Sequence, residues 1–251
     1  MTDSLMMHGT FTTRDGVALA GSRRLVDGTP RAAVVLVHGF SASASDPAVT
    51  ALAETLHAAA LDVVTYDGRG HGRSDSTSTL GDLERHDVAA AVEVARERTD
   101  RVVLVGASMG AIAVVRYATE DPHLDGVVSV SCPARWRLPR NLVGLFSAGL
   151  TRTGIGRALA ARHLNVRISP TWNNPEPPID LIARITAPVA VVHGSLDKFI
   201  MPGNARELFG KCDGQRRLVL VPDMGHAYGD AALQPIVDAV EWALVLTAEA
   251  A

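Results

Sequence analysis

Short, mostly apolar runs recur along this chain of 251 residues, separated by longer stretches in which apolar residues return every three or four positions. The runs lie at 33–37, 62–66, 101–105, 126–130, 188–192 and 217–221, and Val dominates them. A run of this length, apolar on both faces and rich in β-branched residues, predicts a strand buried on both sides. Helical spacing predicts helices over 48–60, 81–98, 111–119, 203–209 and 231–246. Asp46 stands where a helix N-cap belongs, with Pro47 at the first helical position. In the second helix Leu83, Val88, Val92 and Ala95 fall on one face. Such alternation predicts an α/β architecture with a mostly parallel, doubly wound sheet. Near the N-terminus, segments 9–13 and 17–23 flank Asp15-Gly16, which predicts an antiparallel hairpin. The sequence has no internal repeat and no low-complexity segment.

The pattern breaks at 131–178. This segment is rich in Gly, Pro and Arg, and only 141–150 and 155–164 carry spacing suited to short amphipathic helices. Trp172-Asn173-Asn174-Pro175 reads as loop. The domain division predicted is therefore a core of 1–130 and 179–251 with an inserted cap at 131–178. An insertion above the C-terminal ends of parallel strands is where a lid over a pocket belongs.

Composition narrows the function classes. The chain is 47% hydrophobic and 20% charged, enough to bury a sizeable core. The expectation from the N-terminal residues is no signal peptide, and from the absence of about 18 consecutive apolar residues no integral membrane association. Cys132 and Cys212 make neither a disulfide framework nor a metal-ligand cluster, so no metal or other cofactor is expected, and a cytoplasmic location is. The formal net charge of −3 argues against nucleic acid as a partner. That charge is uneven. Segment 131–178 holds seven arginines (135, 137, 140, 152, 157, 162 and 167) against one acid, Glu176, a balance of +6, leaving −9 on the rest of the chain. Arginine suits phosphate and carboxylate groups. Two readings stay open: an anionic portion on the substrate, or arginines paired with the acidic main domain and with solvent.

The chemistry is concentrated behind the 101–105 run. Gly106-Ala107-Ser108-Met109-Gly110 has the G-x-S-x-G form of a nucleophile elbow, a sharp strand-to-helix turn that lifts the serine out of the sheet edge. A serine hydroxyl needs a base, and the base needs an orienting group. His226 follows the last strand, in Asp223-Met224-Gly225-His226-Ala227, and is the candidate base. Asp197 follows the 188–192 strand, in His193-Gly194-Ser195-Leu196-Asp197, and is the candidate orienting carboxylate. Oxyanion donors are expected from the backbone N–H of Met109, next to the nucleophile, and of Phe40, in the loop His38-Gly39-Phe40 after the first parallel strand.

On these residues the chain resembles the α/β-hydrolase superfamily. The order Ser108, Asp197, His226 is the order of that fold. Tyr66-Asp67-Gly68-Arg69-Gly70-His71-Gly72-Arg73-Ser74-Asp75 is similar to a D-x-R-G-x-G-x-S segment found after a sheet strand in many members. It is not a dinucleotide fingerprint, because Arg73 stands where the last glycine is required. The resemblance covers about 10–246 and implies an α/β-hydrolase fold. A serine at the elbow speaks against the epoxide and carbon–halogen chemistry of members that carry aspartate there. Some members place the acid after the strand that follows the elbow helix. Here that position reads Val130-Ser131-Cys132, without a carboxylate, which favours Asp197. The oxyanion loop is of the single-glycine type, and His38 and His71 are expected to pack these loops. Segment 41–45 is small and polar, suited to lining an acyl pocket or to a plain loop. The implied activity is hydrolysis of a carboxylic ester or thioester through an acyl-enzyme. Acyl transfer from the same intermediate, or ligand binding without catalysis, remain the alternatives. Substrate-binding residues and oligomeric state are not specified.

Overall fold

The computed structural model describes residues 5–136, 149 and 151–249. Each of the six apolar runs is a strand: β3 (Ala33–Val37), β4 (Asp62–Tyr66), β5 (Val102–Ala107), β6 (Gly126–Val130), β7 (Val189–Gly194) and β8 (Arg216–Val221). The hairpin is present as β1 (Leu5–Thr12) and β2 (Ala18–Leu25). One eight-stranded sheet runs β1-β2-β4-β3-β5-β6-β7-β8. β1 and β2 are antiparallel to each other, β2 is antiparallel to β4, and the remaining neighbours are parallel. The hairpin begins earlier than its apolar pattern suggests, because Leu5 to Gly9 pair in register with Leu25 to Gly21 at an exposed edge where burial imposes no alternation.

Helices cover both faces, and the central strands are mostly apolar for that reason. Val35, Leu104, Val127 and Val191 point to the side of α2 (Glu84–Arg96), α3 (Met109–Ala118) and α6 (Gly203–Lys211). Their neighbours Val34, Val103, Val128 and Val192 point the other way, onto Leu52 and Leu56 of α1 (Pro47–Ala58) and Ile236 and Val240 of α7 (Leu233–Glu249). Burying each such side chain contributes roughly 1.5–3 kcal/mol. Asp46 caps α1 through its carboxylate and the Ala48 N–H at 3.1 Å. Helix α2 starts at Glu84, three residues later than expected. Gly81 has φ +99° and belongs to a turn that the Glu84 carboxylate ties up, accepting from the N–H groups of Thr79 (2.8 Å) and Gly81 (2.9 Å).

By length and apolar content alone, 230–249 could cross a membrane, at a mean hydropathy of 1.3. Here Ile236, Val237, Ala239, Val240, Ala243 and Leu244 of that stretch are buried, with α7 lying along the sheet.

The expected helix at 155–164 is α4 (Gly154–His163), followed after a loop by the short α5 (Pro178–Leu181), and 172–175 is loop. The helix expected at 141–150 lies outside the described residues apart from Gly149. The segment after α4 is fastened to the loop after β4. Arg167 N–H donates to Gly70 O (2.7 Å), Ser78 N–H to Arg167 O (2.7 Å) and Ser169 N–H to Ser78 O (2.8 Å). Ala160, Val166 and Ile168 form a small apolar cluster onto which Phe40 and Leu80 pack.

Candidate functional site

Strand register brings the chemistry to one edge. Val37 pairs with Gly106, Ala107 with Val130, Val130 with Val192 and Gly194 with Val221. The residues just beyond β3, β5, β6, β7 and β8 therefore emerge side by side at the C-terminal ends of the strands, where parallel sheets place their sites.

Ser108 joins β5 to α3 at φ 54°, ψ −111°, a conformation that costs a non-glycine residue of order 1–3 kcal/mol. The two flanking glycines make the turn possible. A Cβ on Gly106 would stand 2.5 Å from Gly110 O, and one on Gly110 would stand 2.5 Å from His38 O. Ser108 N–H donates to Val130 O at 2.9 Å, which ties the elbow to the neighbouring strand.

Asp197 and His226 reach Ser108 from two further loops. Asp197 Oδ2 accepts from His226 Nδ1 at 2.8 Å, so the proton sits on Nδ1 and leaves Nε2 as an acceptor. His226 Nε2 lies 3.0 Å from Ser108 Oγ, in position to receive the hydroxyl proton. The other carboxylate oxygen, Oδ1, accepts from the N–H groups of Phe199 and Ile200, both at 2.9 Å. Burial alone pushes the Asp197 carboxyl up. Hydrogen bonds from His193 and His226, the charge of His226 and the Ile200 N–H outweigh that and hold it well below the usual carboxylate range. The ring of Phe199 stacks on that of His226, centroids 5.1 Å apart.

The expected oxyanion side is adjacent. Met109 is the first residue of α3, so its N–H has no partner within the helix and stands at the positive end of the helix dipole. The loop carrying Phe40 lies against the elbow: a Cβ on Gly39 would stand 3.2 Å from Ala107 O and 3.4 Å from the Ser108 Cβ. His38 holds this loop. Its Nδ1–H donates to Gly39 O (2.8 Å), and its Nε2 accepts from Gly68 N–H (2.9 Å). His71 packs edge-on to both His38 (5.1 Å) and Phe40 (6.1 Å). Burial, with the neighbouring His71, lowers the His38 pKa to about 4. In the loop after β4, Asp67 accepts from the N–H of Ala44 (2.8 Å) and of Arg73 (3.0 Å), and buried Arg69 pairs with Asp87 and Asp15, all of which hold loops in place.

Four supporting residues were not evident in the sequence. Tyr228 O–H donates to Val37 O at 2.9 Å and anchors the His226 loop. Ser131, in left-handed conformation at φ 49°, accepts from Ala227 N–H at 3.2 Å. It thus braces the His226 loop from the position where some α/β hydrolases keep their acid. Glu84 gathers the turn beside Met109. His193 lies under the Asp197 loop. For His193 a signal existed: Val-His-Gly occurs at the ends of both β3 and β7.

The arginines of segment 131–178 divide. Arg135 pairs with Glu207 of α6, and the Arg167 guanidinium donates to the main-chain oxygens of Ser74 and Ser76. Among the described residues Arg152, Arg157 and Arg162 form no ion pair. A surface cleft of about 340 Å³ includes Asp82, Arg85, Glu120, Glu176 and Arg184 in its walls, and these charges already pair with one another. None of Ser108, Asp197 and His226 lines it. Cys132 and Cys212 are free and buried.

Comparison with known proteins agrees with this fold. The model of the family described as serine aminopeptidase, S33, matches residues 28–174. A non-heme chloroperoxidase of Streptomyces lividans is 39% identical over 115 residues, which is 43% of this chain and 38% of that protein. The chain thus spans well under half of that relative. Among solved structures, a Pyrococcus furiosus esterase superimposes with a TM-score of 0.74 at 20% identity, covering 98% of this chain and 89% of that one. A monoacylglycerol lipase of Paleococcus ferrophilus gives 0.67 at 24% identity, with 90% and 98% covered. At such identities the two structures speak for the fold alone. With the sheet order, the elbow and the matched family model in agreement, this chain is an α/β hydrolase and belongs to the serine aminopeptidase, S33, family.

Proposed function

We propose that the chain is a serine hydrolase that cleaves a carboxylic ester or thioester through an acyl-enzyme. The observation that carries this reading is the unbroken line from Ser108 Oγ through His226 to Asp197, at 3.0 and 2.8 Å, starting from a strained elbow. In the proposed reaction His226 Nε2 takes the Ser108 proton as Oγ attacks the carbonyl carbon. Asp197 keeps the imidazole in the required tautomer and stabilises the imidazolium. The N–H groups of Phe40 and Met109 receive the oxyanion, each such donor contributing roughly 3 kcal/mol in the transition state. His226 then protonates the departing alcohol or thiol. It next takes a proton from water, which attacks the acyl carbon, and returns that proton to Ser108 Oγ as the acyl–oxygen bond breaks and the acid leaves.

Segment 131–178 acts in this reading as the cap. Phe40, which carries one oxyanion donor, rests on the cap residues Ala160, Val166 and Ile168. Phe199, stacked on His226, offers an exposed apolar surface to the substrate, and Leu196 and Met201 of the same segment are exposed and apolar too. Arg152, Arg157 and Arg162 favour substrates with an anionic portion.

The deciding experiment is reaction with a fluorophosphonate probe, followed by peptide mapping. A single adduct on Ser108, lost in Ser108→Ala, supports the proposal. Failure of the folded protein to react favours ligand binding without catalysis. A panel of p-nitrophenyl esters, acyl thioesters and aminoacyl anilides then assigns the bond, the last arm answering the peptidase description of the family. Adding alcohols, amines or hydrogen peroxide as competing acceptors separates hydrolysis from acyl transfer.

A further inference from the structure

We infer that His193 is a positioning residue for the reaction, the anchor that sets the Asp197 loop and, through it, both the tautomer and the ring plane of His226. The inference rests on the serine-hydrolase reading above and names a residue that reading does not use.

His193 is fully buried in β7, four residues before Asp197. Its Nε2 lies 2.7 Å from Ile200 O, and a carbonyl only accepts, so Nε2 carries the hydrogen. The same atom stands 3.4 Å from Asp197 Oδ2, the oxygen that receives His226 Nδ1–H. His193 Nδ1 is buried and, among the described residues, has no hydrogen-bond partner. A buried imidazole with one unsatisfied nitrogen is an expensive way to fill a core position. An apolar side chain of similar size would avoid that cost, so the return must come from the Nε2–H.

That return is geometric. The turn 197–200 presents two groups to the site: the Asp197 carboxylate and the Phe199 ring stacked on His226. Its internal bonds, from Phe199 and Ile200 N–H to Oδ1, fix the turn's shape but not its placement on the sheet. Asp197 N–H donates to Gly194 O (3.3 Å) and Leu196 N–H to Met224 O (3.0 Å), which hold the start of the turn, and His193 holds its far end. It ties Ile200 to the rigid end of β7 and directs a second contact onto Oδ2, which leaves that oxygen facing His226. Exposed Leu196, Phe199 and Met201 gain little from burial, so side-chain packing cannot take over this task.

The test compares His193→Leu, which removes the donor, with His193→Gln, whose side-chain amide can place an N–H where Nε2–H stands. Turnover of p-nitrophenyl acetate is the first readout. His193→Leu is expected to lower kcat by about 10- to 100-fold, as misplacement of a reacting group does, with KM changed by less than about threefold. His193→Gln should recover most of the loss. The second readout is the proton resonance of His226 Nδ1–H, which needs no turnover. It should move or broaden in His193→Leu and return in His193→Gln. Unchanged kcat in His193→Leu, or an effect on KM alone, would overturn the inference. So would a His193→Gln enzyme as impaired as His193→Leu with an equal drop in melting temperature, since that outcome assigns His193 to packing. If the wild type itself fails to react with the fluorophosphonate, the hydrolase reading falls. The His226 resonance in the three proteins then still decides whether His193 positions this pair.

Discussion

The phenol of Tyr228 donates to the main-chain oxygen of Val37 at 2.9 Å, joining residues 191 positions apart. Val37 ends β3, directly before the loop that carries Phe40. Tyr228 lies two residues after His226. The bond fixes the His226 loop against the strand that leads into the Phe40 loop. Burial raises the Tyr228 hydroxyl well above its ordinary pKa, so the donor is kept across the working pH range.

Replacing Tyr228 by Phe should cost about 1 kcal/mol, the net value of one such bond together with an unsatisfied carbonyl. A urea titration should show a lower midpoint with an unchanged slope. Ester turnover should fall in kcat more than it changes KM. Full retention of both stability and kcat would show that the His226 loop does not depend on this anchor.

Strain at Ser108 makes a second prediction with opposite signs for stability and activity. At φ 54°, glycine is tolerated where serine is not at ease. Ser108→Gly should melt at a higher temperature than the wild type, by an amount worth roughly 1 kcal/mol. Ester hydrolysis should fall by about 10⁴-fold or more. A variant less stable than the wild type would mean that the elbow stores no strain.

The glycines of the elbow are predicted to tolerate nothing larger. In Gly110→Ala the new methyl meets main-chain oxygen of His38 at 2.5 Å, and backbone cannot swing aside as a side chain can. Destabilisation of roughly 1–3 kcal/mol is expected, with displacement of the loop that carries Phe40. Circular dichroism melting and fluorophosphonate reactivity measure the two effects separately.

Stability should fall on mild acidification. The His38 pKa is about 4 in the folded chain against 6.5 for the free side chain, so the unfolded chain binds the extra proton between those values. Stability is therefore full above about pH 6.5 and declines toward pH 4, by up to about 1.4 kcal/mol per unit from His38. His71, also lowered chiefly by burial, adds in the same direction. Asp197 acts elsewhere: its contribution is present above the ordinary carboxylate pKa and is lost only at lower pH. Unfolding free energies at pH 7 and pH 5 should differ accordingly, and His38→Gln should narrow the gap. A pH-independent stability across this range would contradict the burial of His38.

If the arginines of segment 131–178 read an anionic substrate portion, kcat/KM for a carboxylate-bearing ester should drop several-fold between low and high salt. A matched neutral ester should be unaffected. Substituting Arg152, Arg157 and Arg162 together by Glu should abolish the difference. Equal salt profiles for the two esters would leave these arginines as solvated surface.

The amino-acid sequence by itself determined the architecture and the chemistry that is local in the chain. Apolar runs of strand length, with helical spacing between them, dictate a sheet buried on both faces, because no other arrangement removes both sides of such strands from water. Gly106 to Gly110 is equally local: the backbone crowding that demands glycine lies within one turn. The order Ser108, Asp197, His226 was legible because each follows its own strand, and parallel strands all end at one edge. Tertiary structure decided what depends on which strands are neighbours. β3 lies between β4 and β5, so Val37 is near Tyr228, and β6 lies beside β7, so Ser131 reaches Ala227. Glu84 reads as part of a helix until the turn at Gly81 folds back onto it. His193 is one histidine among nine until the Asp197 loop closes over it. Hydrogen bonds of this kind carry no periodicity in the chain. Their partners are chosen by strand order and register, which the apolar pattern permits but does not specify.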